Sequence, residues 1–296
     1  MGISVLNAFT DVLARSQPAF IALALLVYAA SVPLVAWRWQ VVLAAVTGRR
    51  APLGTLVLAS LASSFVNNVT PSARLGGEAC RVAALVSLKL ASVGRAAAAA
   101  AYERLSEAPA IVAIALATLL VVGRLDVGVP GWMWLAVAAC AAAAAVAARR
   151  LLIHAVGRAR ARWASVRAVA IAPSALAWSA AISGLVWLLD VVRLRLAAAA
   201  FHAPIGLTQA AALTAITIVA GLVPTVGGLG VTEGGLVAGL VAMGVAPADA
   251  VGITAVERGI SYGVSTLAGF GALSMLGGRT LWNAVRVGRP AVEAAT

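Results

Sequence analysis

Residues 19–46 form an apolar run whose single charge is Arg38. A run of this length exceeds the ~18–20 residues that cross a bilayer as a helix. Comparable stretches lie at 96–122, 172–200 and 248–276. Across the 296 residues 62% are hydrophobic and only 11% are charged, against roughly 25% charged in a soluble domain. No stretch is polar enough for a separate soluble domain. The chain therefore reads as all-α, a polytopic helical membrane protein with one membrane domain over 1–296.

Net charge is +12, from 22 basic and 10 acidic residues, and Lys89 is the only lysine. No aromatic-and-basic pattern accompanies the charge, so nucleic acid is not an expected partner. The basic residues instead mark cytoplasmic loops by the positive-inside rule. Arg49 and Arg50 mark one loop, the segment 149–171 with six arginines a second, and Arg279, Arg286 and Arg289 in the tail 277–296 a third. The C-terminus is thus expected in the cytoplasm. Residues 1–18 lack a signal-peptide pattern and read as a short interfacial helix or a disordered lead.

Two interruptions break the apolar sequence, at Asn67–Gly77 and at Pro224–Gly230. The arms around them, within 53–90 and 205–245, are too short for two full spans each. Counting crossings between the basic markers closes only if both segments are re-entrant hairpins. The first would open to the cytoplasm and the second to the outside.

The halves share a pattern of span, hairpin with Pro and Gly-Gly at its tip, and span with Glu-Arg. Pro71 precedes Glu103 by 32 positions and Pro224 precedes Glu257 by 33; Glu78 precedes Glu103 by 25 and Glu233 precedes Glu257 by 24. We expect an inverted repeat, the first unit over about 19–122 and the second over about 172–276, joined by a span at 132–148. Such repeats place a site near the membrane midplane, where the two tips are expected to meet.

At each tip a helix restarts with free N–H groups and a positive dipole end, a ready anion site. Gly76, Gly77, Gly227, Gly228 and Gly230 permit positive φ and close ligand approach; tight helix packing is an equal reading. Arg74 and Arg81 beside the first tip favour a ligand. Asn67 and Asn68 either cap the broken backbone or bind a headgroup. Glu103–Arg104 and Glu257–Arg258 lie about two turns inside their spans, where each ionisable group costs about 2.5 kcal/mol or more. Sequence neighbours do not face each other on a helix, so each needs a partner elsewhere; Glu78 and Glu233 are the candidates. Either these groups form a structural network that locks the hairpins, or Arg104 and Arg258 receive a phosphate bidentately. Asp190 and Arg193 break the positive-inside pattern and read as an i,i+3 pair.

Cys80 and Cys140 are isolated, and His154 and His202 have no partners at metal spacing. No metal, cofactor or disulfide is expected. Neither a Ser-His-Asp set nor a phosphate-binding loop is present, so the chain does not read as an enzyme.

With these residues in view, the chain resembles the lysylphosphatidylglycerol synthase transmembrane region family of flippase-like membrane proteins. The matching pieces are Trp37-Arg38-Trp39, Asn68-x-x-Pro71, Arg74-x-Gly76-Gly77-Glu78-x-x-Arg81, Glu103-Arg104, Pro224-x-x-Gly227-Gly228-x-Gly230-x-x-Glu233, and Arg258. The resemblance covers about 20–276. It implies movement of an anionic phospholipid or a polyprenyl-phosphate-type lipid between the leaflets of a bacterial or archaeal cytoplasmic membrane. A scaffold that presents lipid to a partner transferase is an alternative. A secondary transporter of a small anion is a further alternative. The lysyl-lipid synthases join this region to an aminoacyl-transfer domain; the sequence after 276 carries no such pattern, so lipid aminoacylation is not expected of this chain.

Overall fold

The computed structural model describes residues 16–71, 75–104, 106–107, 172–220 and 225–277. The expectations for residues 1–15, for the span at 132–148, for the basic segment 149–171 and for the tail fall outside these residues. Every described element is helical.

Helix α1 is Pro18–Thr47, opened by its proline and closed by Gly48 in the left-handed region, whose N–H bonds Ala44 O. Pro33 does not interrupt it. Its buried stripe includes Ala24, Ser31, Ala36, Trp39, Val42, Leu43 and Val46, while Leu23, Leu25, Leu26 and Trp37 point outward. Helix α2 is Leu53–Val69, α3 is Leu75–Ser87, and α4 is helical at 93–104 and 106–107.

The same order follows in the second half. Helix α5 is Pro173–Ala199, again opened by proline, and α6 is Leu207–Ala220. A 3-10 turn at Val226–Gly228 precedes α7, Val231–Ala242. Helix α8, Pro247–Arg258, passes through a π-helical turn at Gly259–Val264 into α9, Ser265–Met275.

Only α1 and α5, of 30 and 27 residues, are long and apolar enough among the described helices to cross a membrane. The hairpin helices have 17, 13, 14 and 12 residues. At 1.5 Å per residue they reach about 18–26 Å, short of the ~30 Å hydrocarbon layer.

Helices α1 and α5 run antiparallel. Gln17 N donates to Ala200 O at 2.8 Å at one end, and Arg38 Nη1 donates to Ser183 Oγ at 3.2 Å further along. Two apolar clusters flank this pair. One holds Trp39, Leu43, Leu56, Val66 and Leu85 from the first half. The other holds Leu194, Leu213, Leu236, Leu240 and Ile253 from the second. Helix α9 then returns to the first half. Gly269 sits so close to α2 that a Cβ there would lie 2.3 Å from Leu61 O, and the rings of Phe65 and Phe270 stand 5.6 Å apart.

The first break is narrower than the sequence suggests. Asn67 and Asn68 belong to α2, and Gly76 and Gly77 to the first turn of α3. The helix tolerates the asparagines because both amides have partners: Asn67 Oδ1 accepts Gly77 N–H at 2.8 Å, and Asn68 Nδ2 donates to Ser265 Oγ at 2.9 Å and Thr266 Oγ1 at 2.8 Å. Gly76 and Gly77 do not take positive φ, contrary to expectation; Gly227, Gly228 and Gly230 do, at 59°, 75° and 84°. What Gly77 supplies is clearance, since a Cβ would lie 2.3 Å from Asn67 Nδ2. Trp39 is 1% exposed and lies under the Arg81 guanidinium, 4.0 Å from its ring centre.

Candidate functional site

Each half builds a network of arginines and carboxylates from helices that are distant in sequence. In the first, Arg38 of α1 reaches α4, its Nη2 lying 2.6 Å from Glu103 Oε1 and 2.5 Å from Glu107 Oε1. Arg81 of α3 lies 2.7 Å from the other Glu103 oxygen and 3.4 Å from Glu78. Arg104 pairs with Glu78, and with Glu107 at 2.6 Å. Three arginines meet three glutamates, and Arg38, Arg81, Glu103 and Glu107 are buried.

In the second network Arg193 of α5 holds Glu257 of α8 through Nη2 at 2.6 Å and Nε at 3.1 and 3.2 Å. It also holds Asp190 through Nη1 at 2.5 Å. Arg258 Nε donates to Glu233 of α7 at 2.6 Å, and its Nη2 donates to Gly227 O at 3.0 Å. Glu233 Oε2 also accepts the N–H of Gly230 at 2.6 Å, capping α7.

The two networks keep the same register. Arg38 and Glu103 are 65 positions apart, Arg193 and Glu257 64. Arg104 and Glu78 are separated by 26, Arg258 and Glu233 by 25. The facing-span partners anticipated for Glu78 and Glu233 are thus the ones observed.

Beside the second network lies a cavity of about 280 Å³. Its walls include Asn67 and Asn68 from the end of α2, Gly227 and Gly228 from the 3-10 turn, and Asp190, Arg193, Glu257 and Arg258. Tyr28, Trp187, Leu194, Thr214, Thr217, Thr225, Thr232 and Ser261 complete the lining. The two hairpin ends touch here. Tyr262 O–H donates to Asn68 O at 3.0 Å, and a Cβ on Gly227 would lie 2.9 Å from that same oxygen and 2.2 Å from the Tyr262 ring. Only glycine fits at 227, for its φ and for this approach.

The networks sit at different levels along α1. The first lies at Arg38. The second lies near Tyr28, whose ring centre is 5.9 Å from the Arg193 guanidinium. Ten residues of helix separate these levels, about 15 Å.

Of the residues singled out in the sequence, Asn67, Asn68, Gly227, Gly228, Glu257 and Arg258 meet at the cavity, with Glu233 and Gly230 just behind. Glu78, Arg81, Glu103 and Arg104 gather in the first network instead. Gly76 and Gly77 pack the α2–α3 turn, and Pro71 is exposed at its start. Arg74 and Pro224 lie outside the described residues. Arg104 and Arg258, expected to receive a phosphate, both hold carboxylates.

Sequence reasoning did not place Arg38, Glu107, Asp190 or Arg193 at a site. Arg193 looked like a tolerated exception near a span end, yet it is buried against Glu257. The signal was available in register: Arg38 precedes Glu103 by nearly the interval at which Arg193 precedes Glu257. The hydroxyl lining carried no signal, because single Thr, Ser and Tyr residues are unremarkable in apolar helices.

Residues 3–269 match the family described as Lysylphosphatidylglycerol synthase TM region. The chain belongs to this family. It is also 27% identical over 304 residues to the UPF0104 membrane protein of Methanothermobacter thermautotrophicus, a match covering 90% of this chain and 88% of the relative. Family membership and this relative make the chain an integral membrane protein, and α1 and α5 are the described helices suited to crossing the bilayer.

Proposed function

We propose that this chain is a flippase or scramblase that moves an anionic phospholipid or lipid-linked phosphate between leaflets without changing it covalently. The observation that carries the reading is the cavity at which both hairpin ends meet beside the buried Arg193 and the partly buried Arg258. Its volume suits a headgroup, and acyl chains would remain in the bilayer. Buried ionisable groups in an apolar helical protein are costly and mark transport paths more often than scaffolding. The matching order of elements, the antiparallel α1 and α5, and the shared register of the ion pairs support an inverted repeat with two re-entrant hairpins. The family description, which names a phospholipid synthase region, supports a lipid as cargo. On this reading the C-terminus lies in the cytoplasm of a bacterium or archaeon.

The test is scrambling of fluorescent phosphatidylglycerol in proteoliposomes. Wild type should equilibrate the leaflets far faster than protein-free vesicles, and an Arg104→Ala, Arg258→Ala double variant should lose at least about 1.4 kcal/mol of transition-state stabilisation, a tenfold slower rate. Equal rates in the two proteins would refute the site. Uptake of a soluble anion with no lipid movement would point to the small-anion alternative.

A further inference from the structure

Among the described residues the two networks differ by one charge. In the first, three arginines face three glutamates. In the second, Arg193 and Arg258 face Asp190, Glu233 and Glu257. The odd carboxylate is at the cavity. Arg193 is shared between two acids, and Arg258 is already divided between Glu233 and the Gly227 carbonyl. An anionic headgroup entering this cavity meets a set with a net negative charge among the described residues, and no arginine there without a carboxylate. An excess negative charge in this partly buried set is unfavourable, and a second anion compounds it.

The shared arginine offers a resolution. Glu257 is gripped by Arg193 through three contacts, whereas Asp190 is held by Nη1 alone, at 2.5 Å. We propose that Asp190 takes up a proton as an anionic headgroup binds, so that the two enter the cavity together. This rests on the lipid-transport reading above. A proton taken up from bulk solvent neutralises the Asp190 carboxylate, which releases Arg193 Nη1 to donate to a phosphate oxygen while Nη2 and Nε keep Glu257. One proton and one monoanionic headgroup leave the charge of the site unchanged. The groups facing Asp190 and its partner are Arg193 on its own helix, Tyr28 from α1, Glu257 and Arg258 from α8, Tyr262 against Arg258, and Glu233 from α7 behind them. Asp190 and Glu233 each make one contact to an arginine, but Glu233 also accepts the N–H of Gly230, which leaves Asp190 the carboxylate with the fewest partners among them. Because binding linkage is reciprocal, a headgroup that draws in a proton binds more weakly as pH rises.

The experiment measures binding of short-chain phosphatidylglycerol to the purified full chain in detergent across pH at fixed ionic strength. Wild type should lose about tenfold in affinity per pH unit above the uptake midpoint, the slope for one proton. Asp190→Asn should bind with affinity that varies less than about twofold over that range, and Asp190→Glu should restore the slope. Infrared difference spectra of wild type with and without the probe should gain a protonated-carboxyl band that shifts in Asp190→Glu, a readout that does not depend on the Asn variant folding. Retention of the slope in Asp190→Asn, or an affinity that follows sodium rather than pH, would overturn the proposal. If wild type binds no lipid at any pH, the lipid reading fails. A carboxyl band that still appears on acidification and still shifts in Asp190→Glu then supports the proton site, and its absence overturns it.

Discussion

Arg38 joins two glutamates through one nitrogen. Removing it leaves Glu103 with Arg81, Glu107 with Arg104, and three carboxylates facing two arginines in a buried setting. Loss of one partner from a buried pair costs about 3–5 kcal/mol. Arg38→Ala should therefore lower the unfolding midpoint in detergent strongly, and Arg38→Lys should recover only part of the loss, since an ammonium lacks the planar fork. Gly227→Ala should be harmful for a different reason. Its φ of 59° and the Tyr262 ring, 2.2 Å from a built Cβ, both exclude a side chain. A cost of about 1–3 kcal/mol is expected from the backbone conformation alone, visible as a lower unfolding midpoint alongside slower lipid movement. At this scale the sequence was informative where a charge interrupted apolar helix, as at Glu103–Arg104 and Glu257–Arg258. It was silent where a residue type fits any helix, as at Thr214 or Tyr28. The i,i+3 pairing of Arg193 with Asp190 was legible, but its buried contact with Glu257 was not, because a span end and a buried pair look alike in one dimension.

The ion pairs tie the short helices to their neighbours. Glu233 both caps α7 at Gly230 and holds Arg258 on α8. Exchanging the charges, Glu233→Arg with Arg258→Glu, should be less damaging than the sum of the two single changes by about 0.5–3 kcal/mol, the range of coupling between contacting residues. An additive result in a double-mutant cycle on thermal stability would remove the pair from the account of the hairpin. The existence of both hairpins was legible from arm length and from the Pro and Gly at their tips. Their boundaries were not. Asn67 and Asn68 look like helix breakers, and only the positions of Gly77, Ser265 and Thr266, all distant along the chain or across the fold, satisfy them within a helix.

Across the molecule, the start of α1 meets the end of α5. Gln17 Nε2 and His202 Nε2 are 2.7 Å apart. In a background with Cys80 and Cys140 replaced by serine, Gln17→Cys with His202→Cys should cross-link rapidly within one chain under a short bismaleimide. Pairing Gln17→Cys with a cysteine near the start of α5 should not. Efficient linkage of the second pair would overturn the antiparallel arrangement on which the inverted repeat depends. The shared register of the ion pairs was foreshadowed by the Glu spacing in the two halves. The return of α9 to the first half was not, because it depends on the closeness of Gly269 to Leu61, which no local pattern announces.

That return hangs on the π turn at Gly259–Val264. A π turn accommodates one residue more than an α turn would, so the side chains beyond it are rotated by about 100° relative to an uninterrupted helix. Glu257 and Arg258 thereby face the cavity while Ser265, Thr266 and Gly269 face α2. One continuous rod thus carries two independent phases, one set for each half of the protein. Deleting a single residue from the turn would bring them into a common phase, and the rod could then serve one half or the other.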